Sequence, residues 1–147
     1  MKTGPLSMQP IADRLVAEVP SFELIGRAAD LEKALTSRSP VTPAAYVVLG
    51  SESPSARVGT TQRLVQSVTA TWSVVIAIRD YSLVEQNAAT QNSVHKEVEK
   101  IRLALLRWRH PDAEMETQLG GRAQTIKFAN GVLWWEDVYS AVYQVRV

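Results

Sequence analysis

From Arg63 to Arg79 apolar and polar residues alternate along the chain. Leu64, Val68, Ala70, Trp72, Val74, Ile76 and Ile78 fall on one parity, while Arg63, Ser67, Thr69, Thr71, Ser73 and Arg79 fall on the other. Successive side chains of a strand point to opposite faces, so this spacing predicts a long antiparallel strand with one buried and one wet face. Ser and Thr on the wet parity suit an exposed sheet surface. A second strand of this length closes the chain. Asn130-Gly131, whose residues both accept positive φ, predicts a hairpin between Gln124–Phe128 and Val132–Val147. In its last strand Leu133, Trp135, Tyr139, Ala141, Tyr143, Val145 and Val147 share one parity. Val132, Trp134, Glu136, Val138, Ser140, Val142, Gln144 and Arg146 share the other, so the strand is apolar on much of both faces.

Elsewhere the period changes. Ile11, Leu15 and Val19 recur every fourth residue after a capping Ser7, with Pro10 in the first turn and Pro20 as a stop, which predicts an N-terminal helix. Val94, Val98, Ile101, Leu105 and Trp108 step by four and three, predicting a long amphipathic helix closed by Pro111. Its other face carries Lys96, Glu99, Lys100, Arg107 and Arg109. Shorter elements are expected at Phe22–Ile25 (strand), Asp30–Leu35 (helix) and Ala44–Leu49 (strand). Residues 51–61 hold the poorest core material and read as a flexible loop. The expected architecture is α+β: one domain over 1–147, with an antiparallel sheet of about four strands. The long helix in the C-terminal half and the N-terminal helix would pack on one face.

Composition narrows the function classes. The chain has 147 residues, 46% hydrophobic and 21% charged, as an ordinary globular domain does. A formal charge of +1, from 16 basic and 15 acidic residues, argues against a dedicated nucleic-acid binder. There is no cysteine, hence no disulfide, thiolate metal site or cysteine nucleophile. Met1 to Pro5 lacks the apolar run of a signal peptide, and no stretch nears the ~18 apolar residues of a membrane span. The expectation is a soluble intracellular product, or one that leaves the cell by another route.

Candidate chemistry is sparse. His95 and His110 lie on the expected helix and at its end, about 20 Å apart at its rise per residue, so they cannot share a metal and read as surface residues. Glu136 and Asp137 are adjacent on a strand and point to opposite faces, which rules out a carboxylate pair. Asp137 falls on the more apolar parity and is the carboxylate to watch. Gly120-Gly121-Arg122 lacks the spacing of a phosphate loop and reads as a turn or bulge. Ser51, Ser53 and Ser55 have no histidine nearby in sequence. No catalytic residue, cofactor site or metal site is expected. Trp72 and Trp108 read as core anchors. Trp134 and Trp135 face opposite ways, so Trp134, with Val138 and Val142 on its parity, makes an apolar strip that either packs under another element or forms an interface.

Ile11-Ala-Asp-Arg-Leu, Pro43-Ala-Ala-Tyr-Val, Trp72-Ser-Val-Val-Ile, Leu105-Leu-Arg-Trp and above all Gly131-Val-Leu-Trp-Trp-Glu-Asp resemble the tail terminator, or tail completion, proteins of long-tailed bacteriophages. The resemblance runs over nearly the whole chain. It implies a non-enzymatic structural subunit of the virion that forms a hexameric ring. That ring would cap the tail tube, end its polymerisation and offer the surface for head joining. Its partners would be other copies of itself, the major tail tube protein and a head–tail connector protein. DNA would pass through the ring without specific binding, and no membrane is involved. The implied place is the head-proximal end of the tail, with host cytoplasm as the site of assembly. Arg57, Arg63, Trp134, Val138, Val142 and Arg146 are the expected subunit or tube interface. The alternatives are another head–tail neck protein, or a module that binds a small ligand or peptide between helix and sheet. A third is an enzyme built around Asp137 with Arg63 or Arg146.

Overall fold

A computed structural model describes residues 3–56, 60, 62–79 and 88–147, with side chains in the last stretch from Val94 onward. Two long strands form its spine. β3 (Val65–Arg79) and β6 (Val132–Arg146) pair antiparallel from Val65↔Arg146 to Arg79↔Val132 without a break in register. β2 (Ala44–Pro54) runs antiparallel to β3 on its other side, with a register shift between Leu49 and Glu52. β1 (Leu24–Arg27) pairs with β2 in parallel, Leu24 opposite Ala44. Two short strands, β4 (Gln118–Leu119) and β5 (Gln124–Ala129), share the remaining side of β6.

The sheet is therefore six-stranded and mixed, in the order β1-β2-β3-β6-β4 with β5 also on β6. This corrects the expected antiparallel sheet of about four strands. The parallel pair has a simple cause. α2 (Ala28–Thr36) lies between β1 and β2 in the chain, and a helical crossover returns the chain in the direction it came. The same crossover carries α2 to the face opposite α1 and α3. α1 (Gln9–Glu18) and α3 (Ala88–Leu105) pack on one face, through Ile11, Leu15, Val98, Ile101 and Leu105 against Trp72, Val74, Ile76 and Tyr139. Leu31, Ala34 and Leu35 of α2 cover the other face, over Tyr46, Val75, Ala77 and Trp134. Two apolar cores thus sandwich one end of the sheet.

Several boundaries move. β2 continues to Pro54, opposite Val68, so residues 51–54 are strand where a loop was expected. Ser51 and Thr71 hold that extension through Oγ–Oγ contact at 3.0 Å. The rest of the expected loop is described only at Ser55, Ala56 and Thr60. α3 stops at Leu105, before the expected Trp108. Arg107 takes a left-handed φ of 68°, and its N–H donates to the Thr117 carbonyl, turning the chain out of the helix. Asn130 (φ 54°) and Gly131 (φ 75°) make the expected turn between β5 and β6.

Candidate assembly surfaces

Asp137 lies at the centre of β6, facing α3, and is wholly buried. Its two neighbours on the same strand face, Trp135 and Tyr139, both donate to it, at 2.7 Å from Nε1 and 3.0 Å from the hydroxyl. Arg102 of α3 closes the set as a fork, Nε to Oδ2 at 2.8 Å and Nη2 to Oδ1 at 2.9 Å. Such bidentate pairs are strong and strict in geometry. The carboxylate holds the Arg102 proton more firmly than usual. Burial, with Asp137 beside it, raises the Tyr139 hydroxyl far above its ordinary range, so it stays a donor. All of these groups are mutually satisfied, which makes Asp137 a fastener between helix and sheet.

Arg102 also lines a cleft of about 630 Å³ between α3 and the β5–β6 side of the sheet. Val94, Val98, Leu133 and Trp135 give it apolar walls, with Ala123 and Thr125 on the strand side and His95 and Glu99 on the helix side. β5 forms the sheet margin beside it. Gln124 to Phe128 are all exposed, and Phe128 is 47% exposed although it is aromatic. Among the described residues no backbone hydrogen bond joins β5 to anything except β6.

A second open surface lies on the opposite sheet face. α2 covers only the end near Trp134. Further along, Thr69 is exposed, and Thr71, Ser73, Val138, Val142 and Gln144 are half-buried, forming an uncharged strip. The Gly120-Gly121 step borders it. A Cβ on Gly120 would lie 2.5 Å from Ser140 Cβ, and one on Gly121 would lie 2.9 Å from Val138 Cγ1. Those glycines let the β4 segment press onto β6, which supports the turn-or-bulge reading.

The residues singled out from sequence divide among these surfaces. Trp134 is 2% exposed and meets Tyr46 with ring centroids 6.1 Å apart, so it packs under α2 and is not presented to a partner. Val138 and Val142 belong to the open strip. Arg146 is exposed at its far end, donating to Gln144 Oε1 and lying 3.6 Å from Glu114. Arg63 is exposed at the same end, next to the Leu64–Val147 backbone pair. Arg57 lies outside the described residues. Trp134 and Arg146 are twelve positions apart on one strand, about 40 Å, so the six do not form one patch.

His110 departs most from its expected surface role. It is fully buried, its Nδ1 accepts the Asp112 N–H at 3.0 Å, and its Nε2 lies 2.8 Å from the Ser7 carbonyl. The bond from Asp112 leaves Nε2 as the donor to Ser7, so the ring is neutral in this arrangement. Glu52 helps hold the same segment, accepting from the Leu6 N–H at 3.1 Å and the Tyr143 hydroxyl at 2.8 Å. Thr125 on the cleft wall and the exposed Phe128 on the same strand were missed. Their only sequence signal is the short run Thr125-Ile-Lys-Phe128, with Ile126 and Phe128 on one parity and Thr125 and Lys127 on the other.

Among the described residues no group of His, Asp and Glu is placed to hold a metal, and no helix is long and apolar enough to cross a membrane. No curated protein matches the chain. A family model described as phage tail terminator protein matches residues 1–147, the whole chain. With the residue resemblance over the same span, this places the chain in the phage tail terminator protein family, a family of structural components of the phage tail.

Proposed function

We propose that the chain acts as one domain and forms a ring on the end of the tail tube, where it stops polymerisation and presents the surface to which the head is joined. The whole-chain family match carries this reading. The uncharged strip supports it, because a ring of identical subunits needs two different surfaces on each copy that stay open in the monomer. Val138 and Val142 on that strip, with Arg63 and Arg146 at its end, are the proposed contacts to the next subunit or to the tube. A strip of Thr, Ser and Val can be buried with little cost in desolvated charge, which suits close packing of identical copies.

Purified protein added to polymerising tail tube protein tests the reading. Tubes should become shorter as the ratio of added protein rises, with a ring of density at one end in electron micrographs. Val142→Glu should abolish the shortening and leave the thermal transition in place. Tube lengths that ignore the added protein would remove termination as its role.

A further inference from the structure

We propose that β5 pairs antiparallel with β5 of a second copy, so that Phe128 of each copy seats over the cleft of the other. Three observations on the same short segment lead there. The outer edge of β5 has no backbone partner among the described residues, and an open edge is a template for another strand. A lysine on such an edge usually deters pairing, but Lys127 is drawn to the other face, its Nζ donating 2.6 Å to the Leu35 carbonyl. Phe128 is nearly half exposed, and the adjoining cleft is apolar with no occupant of its own among the described residues.

The register follows from the irregularity in β5. Thr125 lies opposite Trp135 and Phe128 opposite Leu133, and both of those β6 residues face α3. In a regular strand residues three apart face opposite ways; the shift between Thr125 and Lys127 puts Thr125 and Phe128 on one face. A two-fold axis between Ile126 and Lys127 then sets Phe128 of one copy across from Thr125 of the other. Gln124 falls across from Ala129 on the opposite face, so both faces match. Thr125 is part of the cleft wall, so the incoming ring meets apolar surface. Charge agrees as well: Asp137 already neutralises Arg102 on the cleft floor, and the arriving ring is neutral. A two-fold contact closes on itself, so it is separate from the repeating contacts of a ring and joins free copies in pairs.

The absence of cysteine makes the test clean. Sedimentation of the full chain over concentrations up to ~1 mM should show a monomer–dimer equilibrium, and Phe128→Ala should weaken it by about tenfold or more with an unchanged thermal transition. Gln124→Cys and Ala129→Cys proteins, mixed and mildly oxidised, should cross-link to a dimer far faster than either alone. A wild-type monomer at every concentration would overturn the proposal. So would a dimer that Phe128→Ala leaves intact, or cross-linking no faster in the mixture than in the separate proteins. None of these results bears on tube length, so this contact and the termination reading fail separately.

Discussion

Replacing Asp137 by alanine should be among the most damaging single changes to this fold. It leaves the buried Tyr139 hydroxyl without its acceptor, which costs ~1–3 kcal/mol for a buried unsatisfied group. The Trp135 N–H loses its 2.7 Å partner, but its half-buried ring can admit water, so about 1 kcal/mol is expected there. Arg102 loses a bidentate partner; its side chain is 32% exposed and can turn toward solvent, which limits that loss to roughly 1–2 kcal/mol. Together these come to about 4 kcal/mol, within the range seen when one member of a buried ion pair is removed. At ~2–4 °C per kcal/mol for a domain of this size, the transition should fall by roughly 8–16 °C. Urea titration at neutral pH, followed by tryptophan fluorescence, measures it. Arg102→Ala should be comparably harmful, because it leaves a buried carboxylate with only two neutral donors. The double variant should be less destabilised than the sum of the two singles, by about 1.5 kcal/mol or more. An Asp137→Ala loss below about 1 kcal/mol would refute the reasoning, because it would mean that water replaces every bond the carboxylate makes.

Trp134→Ala should cost ~3–5 kcal/mol by emptying the core under α2, as a denaturant midpoint will show; a neutral result would mean that α2 does not cover it. His110→Ala should cost about 2 kcal/mol, with faster hydrogen exchange at the Asp112 amide as its local signature. Burial, followed by the hydrogen bond to Glu52 and its charge, pushes Tyr143 up to about 12, and Tyr139 is raised as well. Both folded values exceed the ~10 of an unfolded tyrosine, so the folded state holds these protons more tightly. The Tyr143 contribution should be complete below pH ~10 and disappear as pH rises through about 12; Tyr143→Phe should flatten that alkaline fall in melting temperature.

The parity patterns of β3 and β6 were legible because each strand has one face buried along most of its length. Trp72, Val74, Ile76, Tyr139 and Ala141 all lie where alternation puts them. The mixed sheet was less legible, although its cue was present: a helix over Asp30–Leu35 between two strands implies a parallel return. α2 is only nine residues long and none of its residues is fully buried, so its pattern did not show which sheet face it covers. Trp134 was ambiguous for that reason. Sequence gives the parity of a strand residue, and the other layer decides whether that parity is core. His110 was misplaced because helical periodicity was carried through Trp108, whereas the left-handed turn at Arg107 ends the helix early and sends the histidine inward. No alternation rule would put Phe128 on the cleft side of the sheet, because that depends on a shift in β5 that brings it to the same face as Thr125.

Termination itself is tested most directly by the lengths of tails made without this protein. A nonsense codon early in its gene, in the phage or prophage that carries it, should give abnormally long tubes without heads, and supplying the protein from a plasmid should restore uniform length. Tails of normal length joined to full heads would contradict the account.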